Sequence, residues 1–270
     1  MKFMRVRLIF NLINRGAEMP FHHQYIISEL FTTYVADYIK TNAVSNKVFY
    51  NFSSLKGQTK ISKEGLQYHS KKVSLIFSSN DPDLVKFLIQ NIYKEPKIVL
   101  GKLILQPLSV DLENTVEFKN ETKYICLSPL SIFNPIENHH DAQRYISPSF
   151  DLFSDALYEN TMDRMEQAGS SAAEISRYFE FQLVPDKDYI DKMKSEQKKI
   201  ARIYPVYPEE SGKFEIRGYT FPFTLYAAPQ VHEFIFNCGF GTLTNNGFGM
   251  LDIANEDPAL RIVEYPLILD

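Results

Sequence analysis

The strongest constraint on this chain is an order of hydrophobic periods that runs along it twice. Met4, Val6, Leu8, Phe10 and Leu12 alternate with Arg5, Arg7, Ile9 and Asn11, and a period of two marks a half-buried strand. Past Pro20 the period changes. Ile26, Leu30, Tyr34 and Tyr38 form one stripe, with Ile27, Phe31 and Val35 beside it, which predicts an amphipathic helix. Val48 to Leu55 and Lys72 to Ser79 read as strands. Asp81-Pro82 reads as a helix start, with Asp as N-cap and Pro at the first helical position. Leu84, Phe87, Leu88 and Ile92 supply that helix's apolar face, and a further strand runs through Ile98 to Leu108. Strand, helix, strand, strand, helix, strand is the order of a ferredoxin-like unit.

After about residue 118 the order returns. Tyr124 to Leu127 reads as a strand, Phe150 to Met165 as a helix, and Arg177 to Val184 alternates again. A long hairpin is expected from Ile200 to Tyr207 and Lys213 to Tyr226, turning at Glu209-Glu210-Ser211-Gly212. Pro229 opens a short helix, and Phe248 to Ile253 is expected as the last strand. The expected fold class is α+β, with two tandem ferredoxin-like (RRM-like) βαββαβ domains at 1–115 and 116–270. No sequence repeat accompanies this duplication, which rests on element order alone.

Two cysteines, Cys126 and Cys238, are too few for a disulfide scaffold or a four-thiolate zinc site, so the cytoplasm is the default location. No run of 18 apolar residues is present, so no membrane span is expected. His139-His140-Asp141 lacks a third partner at ligand spacing, so neither a metal nor a cofactor is expected.

Charge is distributed unevenly. Residues 39–72 hold Lys40, Lys47, Lys56, Lys60, Lys63, Lys71 and Lys72 against one acid, Glu64, in a chain whose net charge is -4. Such a run is either a solvated face or a polyanion contact that releases counterions. Tyr38, Tyr50 and Tyr68 interleave with these lysines, and rings beside cations suit single-stranded RNA.

The most specific segment is Gly239-Phe240-Gly241-Thr242-Leu243-Thr244-Asn245-Asn246-Gly247-Phe248-Gly249, with two Gly-Phe-Gly triplets. Glycine permits positive φ and a close backbone approach, and successive amides can form an anion-binding nest. The two Phe residues are expected to anchor the loop ends while the polar middle stays exposed. No Walker lysine follows, and the glycine spacing does not fit a dinucleotide fingerprint.

This segment resembles the signature glycine loop of the CRISPR-associated repeat-processing endoribonucleases. The opening Met4-Arg5-Val6-Arg7-Leu8 strand, Pro20-Phe21-His22-His23-Gln24-Tyr25, Leu127-Ser128-Pro129-Leu130 and Arg144-Tyr145-Ile146 are similar to that family's pattern. The resemblance implies metal-independent cutting of precursor CRISPR RNA by 2′-hydroxyl attack, leaving a 2′,3′-cyclic phosphate and a 5′-hydroxyl. It implies repeat RNA as the partner, and further points to interference-complex subunits and a second copy of the chain. A catalytic histidine is common late in the family's first helical region. Here Lys40 stands at that position, and Lys47 matches a strand-side lysine. The implied catalytic set is therefore Lys40, Lys47, Tyr38 and His23. The implied RNA contacts are Gly239, Gly241, Thr244, Asn245, Asn246, Gly247, Gly249, Lys56 and Lys60. A module of the same fold that holds repeat RNA without cutting it is the alternative, favoured by the missing histidine.

Overall fold

The computed structural model describes residues 2–44, 47–133, 146–206 and 214–267. The expected turn at 209–212 and the runs His139-His140-Asp141 and Arg144-Tyr145 lie outside them. The chain divides into two compact units. The first comprises Met1–Thr115, Asn245–Gly247 and Asp257–Asp270; the second comprises Val116–Thr244 and Phe248–Glu256.

The first unit runs β1 (Met4–Leu12), β2 (Glu18–Met19), α1 (Gln24–Asn42), β3 (Tyr50–Phe52), β4 (Thr59–Ile61), β5 (Leu66–Tyr68), β6 (Lys72–Ser79), α2 (Pro82–Lys94), β7 (Ile98–Leu100) and β8 (Leu103–Glu113). The main sheet follows the order β8-β1-β6-β3, all antiparallel. Its four strands thus stand fourth, first, third, second, which is the ferredoxin-like arrangement. Strand β1 lies at the centre because its alternate residues Val6, Leu8, Phe10 and Leu12 are buried. Its buried Arg5 donates to Glu113 at 2.7 Å. Between Ile9 and Phe10 the β1–β8 register shifts, and the Tyr93 hydroxyl fills the gap. It accepts from Ile9 N at 3.1 Å and lies 2.6 Å from Ser109 O.

Both helices form for local reasons. In α2, the Asp81 carboxylate accepts from the Asp83 and Leu84 amides, and Pro82 lacks the amide that would otherwise need a partner. Its buried face is Leu84, Val85, Leu88, Ile89, Ile92 and Tyr93, each large aliphatic side chain contributing roughly 1.5–3 kcal/mol. In α1 the stripe Ile27, Phe31, Val35 is the buried one. Phe31 packs 4.9 Å from Phe52 and 4.8 Å from Phe77, centroid to centroid. Ile26, Leu30 and Tyr34 are only half-buried at its margin.

Three expectations need correction here. Ile98 to Leu108 is two strands, because Gly101 takes φ +58° and turns β7 back onto β8. The basic run supplies β4 and β5 of an additional small sheet, β2-β5-β4, for which no strand was expected. The final strand is Ile262–Glu264, which adds to the edge of the main sheet against β8.

The second unit runs β9 (Glu121–Cys126), α3 (Asp151–Gln167), α4 (Ala172–Ile175), β10 (Phe181–Pro185), α5 (Lys187–Ser195), β11 (Ala201–Val206), β12 (Phe214–Tyr219), β13 (Phe223–Ala227), α6 (Pro229–Cys238) and β14 (Leu251–Ile253). Its sheet order β10-β13-β9-β14 repeats the arrangement of fourth, first, third, second strand. The chain is therefore α+β with tandem ferredoxin-like units. The expected long strand from Lys213 to Tyr226 is two, because Thr220-Phe221-Pro222 separates β12, paired with β11, from β13, paired with β9 and β10. The alternation at Arg177 yields a strand only from Phe181. No helix of the described residues is long and apolar enough to cross a membrane.

At the core of this unit His232 is fully buried, 2.8 Å from the Tyr124 hydroxyl through Nδ1 and stacked on Phe118 at 5.8 Å. Burial lowers its pKa from 6.5 to about 4. The folded chain therefore refuses a proton that the unfolded chain accepts. Stability is complete above about pH 6.5 and declines as pH falls toward 4, by up to about 3 kcal/mol. In urea unfolding followed from pH 7 to 4.5, His232→Gln is expected to show a shallower loss of midpoint than the parent. An equal slope in both would assign the acid sensitivity elsewhere.

Candidate nucleic-acid interface

The glycine loop joins α6 to β14, and Gly239, Gly241, Gly247 and Gly249 all take φ between +72° and +84°. Phe240 and Phe248 are buried, as anchors should be. The amide nest, however, is turned inward. In the second unit Phe240 N donates to Gly249 O (2.9 Å), Thr242 N to Ser131 O (2.8 Å), Phe248 N to Leu243 O (3.3 Å) and Gly249 N to Pro129 O (2.7 Å). A Cβ on Gly249 would run into the Phe240 backbone, and one on Gly241 into Ser131 O. Gly241 and Gly249 thus serve backbone-to-backbone packing, and the amides of Phe240, Thr242, Phe248 and Gly249 bond within the protein.

Arg164 of α3 completes this closure. Its guanidinium donates to Cys238 O (2.6 Å), Gly239 O (2.8 Å), Gly241 O (3.4 Å) and Thr244 Oγ1 (3.1 Å). Burial lowers its pKa to about 10. These acceptors include the last carbonyls of α6, where a cation is favoured. Sequence reasoning missed Arg164; its only local signal is an arginine at a position inside a helix.

The loop's middle belongs to the first unit and is also engaged there. Gly247 O accepts from Gln24 Nε2 at 2.6 Å, Asn246 Nδ2 donates to Ser28 Oγ at 3.2 Å, and Asn245 Oδ1 lies 3.5 Å from Tyr50 N. Gln24 Oε1 in turn accepts from Ser54 Oγ at 2.9 Å. Thr244 is buried, while Asn245 and Asn246 are half-buried. The expected exposed polar middle is thus a set of internal ties.

The lysines behave differently. Lys40, Lys47, Lys56, Lys60, Lys63, Lys71 and Lys72 are all exposed in the first unit. Lys40 ends α1, and Lys60 lies on β4, whose three residues are all exposed. The Lys47 ammonium lies 5.2 Å from the centroid of the Phe49 ring. The tyrosines among them are not available for stacking. Tyr38, Tyr50 and Tyr68 are buried, and Tyr68 donates to Leu55 O at 3.0 Å. Among the described residues the exposed phenylalanines are instead Phe21, Phe150 and Phe179.

Tyr38 is engaged within the first unit. Its hydroxyl donates to Asp81 Oδ2 at 2.8 Å, and burial together with that carboxylate pushes its pKa up to about 12. His23 is 6% exposed, with Nδ1 donating to Pro20 O at 3.1 Å. That bond sets the tautomer and leaves Nε2 unprotonated, buried and without a hydrogen-bond partner among the described residues. Burial lowers the pKa of His23, so the ring is neutral but shielded from an outside ligand.

A groove of about 820 Å³ in the second unit has a different character. Asp151, Asp155, Glu180 and Asp191 line it against Lys187 and Lys194, with Phe181 and Tyr226 as walls. That acidic surplus disfavours a polyanion, despite the basic residues of α5.

Comparison with known proteins adds to this geometry. A family model described as CRISPR associated protein Cas6, C-terminal, matches residues 111–253, just over half of the chain. A relative from Pyrococcus furiosus is named a CRISPR-associated endoribonuclease-like protein Cas6. It is 23% identical over 267 residues, covering 94% of this chain and 100% of its own length. A solved structure of a Cas6-related protein from Pyrococcus furiosus has a TM-score of 0.75 at 21% identity, covering 95% of this chain and 100% of that one. Another, described as an RAMP protein binding different RNA substrates, has a TM-score of 0.74 at 21% identity, covering 93% and 100%. At these identities the structural likeness establishes the fold.

The loop's packing makes a specific forecast. Gly249→Ala forces a Cβ against the Phe240 backbone at positive φ, and a loss of about 2–4 kcal/mol is expected. Thermal unfolding measures it. A melting temperature within a degree of the parent would mean that the loop backbone can relax.

Proposed function

The chain belongs to the Cas6 family of CRISPR-associated proteins, and on that premise we propose that it binds CRISPR repeat RNA and cuts it slowly, without a metal. The 2′-hydroxyl oxygen attacks the adjacent phosphorus and the bond to the 5′ oxygen breaks. The products are a 2′,3′-cyclic phosphate and a 5′-hydroxyl. The 2′-hydroxyl loses its proton and the leaving oxygen gains one.

The observation that carries the binding half is the exposed run of seven lysines against one acid in residues 39–72. A neighbour described as binding RNA substrates and a relative named endoribonuclease-like support it. Lys40 and Lys47 are the groups we assign to the phosphorane, whose extra negative charge an ammonium stabilises. Lys56 and Lys60 are assigned to backbone phosphates. Asn245, Asn246 and Thr244, with Gly239, Gly241, Gly247 and Gly249, are assigned to shaping the loop rather than to direct phosphate contact.

The rate is proposed to be low because the groups suited to proton transfer are engaged. Tyr38 is held by Asp81 and His23 is buried. A positioned acid or base usually contributes roughly 10²–10⁴-fold, and here water takes that part. The same two observations favour a second reading, in which repeat RNA is held and not cut.

One assay separates the two readings. Labelled repeat RNA is incubated with the protein in EDTA, beside a strand carrying a 2′-deoxy group at the cut. Slow cleavage of the first strand alone, with a cyclic phosphate end, is the expected result. Lys40→Ala and Lys47→Ala should then reduce cleavage about 10-fold or more, and binding less. Tight binding with both strands intact after prolonged incubation would establish the second reading.

A further inference from the structure

Three consecutive residues hold the segments that carry Lys40 and Lys47. Asn80 grips Phe49 at both ends of its backbone: Phe49 N donates to Asn80 Oδ1 at 2.9 Å, and Asn80 N donates to Phe49 O at 3.1 Å. Ser79 Oγ adds a third bond to Phe49 O at 2.8 Å. The next residue, Asp81, takes the Tyr38 hydroxyl on Oδ2 at 2.8 Å. Its other oxygen accepts the Asp83 and Leu84 amides of α2 at 3.0 and 3.2 Å.

Lys47 lies two residues before Phe49, and its ammonium sits over the Phe49 ring. Lys40 lies two residues beyond Tyr38 in the last turn of α1. The two anchor points, Asn80 and Asp81, are neighbours in sequence, about 3.8 Å apart at Cα. The turn is rigid on both sides, since β6 ends at Ser79 and α2 begins at Pro82.

We infer that Ser79-Asn80-Asp81 is a bracket that fixes the backbone segments carrying Lys40 and Lys47 relative to each other, so that both ammonium groups reach the phosphate at the cut in one RNA strand. This rests on the RNA-binding reading given above. Asn80, Asp81 and Tyr38 are positioning residues in it. Tyr38 therefore acts through Asp81 on the placement of Lys40, a role that needs its hydroxyl as a donor and no proton transfer. The bracket also accounts for a tyrosine hydroxyl aimed at a helix cap that two amides already satisfy.

The test uses the full chain and a repeat RNA with a 2′-deoxy group at the cut, so that binding is read without cleavage. Affinity is measured at several salt concentrations for the parent, Tyr38→Phe, Asn80→Ala, Lys40→Ala and Lys47→Ala, and for the pairs Tyr38→Phe with Lys40→Ala and Asn80→Ala with Lys47→Ala. Each positioning variant is expected to weaken binding by about 3- to 10-fold. In the matching lysine background the further loss should shrink to less than about 2-fold, because coupled residues are non-additive. Tyr38→Phe removes no charge, yet the slope of log affinity against log salt should fall by up to about 0.7, the share of one displaced lysine on a single strand.

An unchanged slope with additive losses would reduce these residues to ordinary stabilisers and overturn the bracket. Unchanged affinity in both positioning variants would do the same. Tyr38→Phe keeps the ring on Phe87, so it remains a valid test should Asn80→Ala unfold. If the parent binds repeat RNA no better than a scrambled strand of equal length, the RNA reading fails, and the bracket with it.

Discussion

Backbone packed directly on backbone is the constraint from which the glycine loop, and much of the second unit, follows. At Gly249 the chain approaches Phe240 so closely that no side-chain carbon fits, and at Gly241 it does the same against Ser131. Such contact is possible only where glycine accepts positive φ. It draws the carbonyls of Cys238, Gly239 and Gly241 toward one point. Carbonyls gathered out of water need donors, and the Arg164 guanidinium supplies several in a fixed plane. The cost of burying that cation is offset by acceptors at the negative end of α6. A lysine there would offer one point charge with no fork and leave some carbonyls unmatched.

That closure determines what the protein can offer a polyanion. On the reading proposed above, amides that bond inward leave the loop to contribute shape. The proposed attraction then falls to the ammonium groups of the first unit, which stand on β4, at the end of α1 and ahead of β3. These are solvated cations whose pull weakens with salt. Specificity for a sequence then has to come from neutral contacts or from RNA shape. The exposed Phe21 ring is one of the few aromatic surfaces in the first unit fit for that purpose.

Legibility in the sequence followed the range of the signal. Strand β6 and helix α2 could be read residue by residue because their evidence is local: an alternating run, then Asp-Pro as cap and first helical residue. The hairpin of β7 and β8 was read as one strand because Ile98 to Leu108 is almost uninterrupted apolar sequence. The single Gly101 that reverses it looks the same as a glycine inside a strand. Ile262–Glu264 carries no periodic signal at three residues and exists as a strand only through its pairing with β8. The tyrosines misled for a different reason. A tyrosine beside lysines is equally consistent with an exposed ring and with a buried ring whose hydroxyl finds a partner. For Tyr38 that partner, Asp81, is 43 residues away, beyond what spacing can reveal.

A site built from cations alone separates affinity from rate. An ammonium attracts the singly charged phosphodiester of bound RNA and the more highly charged phosphorane alike, and only the difference between them accelerates the reaction. Proton transfer contributes on a different footing, since it acts on the attacking and leaving oxygens and not on the resting phosphate. Where a tyrosine is turned to hold a helix cap and a histidine is sealed beneath a backbone carbonyl, that second contribution is lost while the first persists. On the proposed function, affinity for RNA would therefore survive changes that remove cutting, and such a site could move between enzyme and carrier by redirecting a few hydroxyl and imidazole groups without altering its charge.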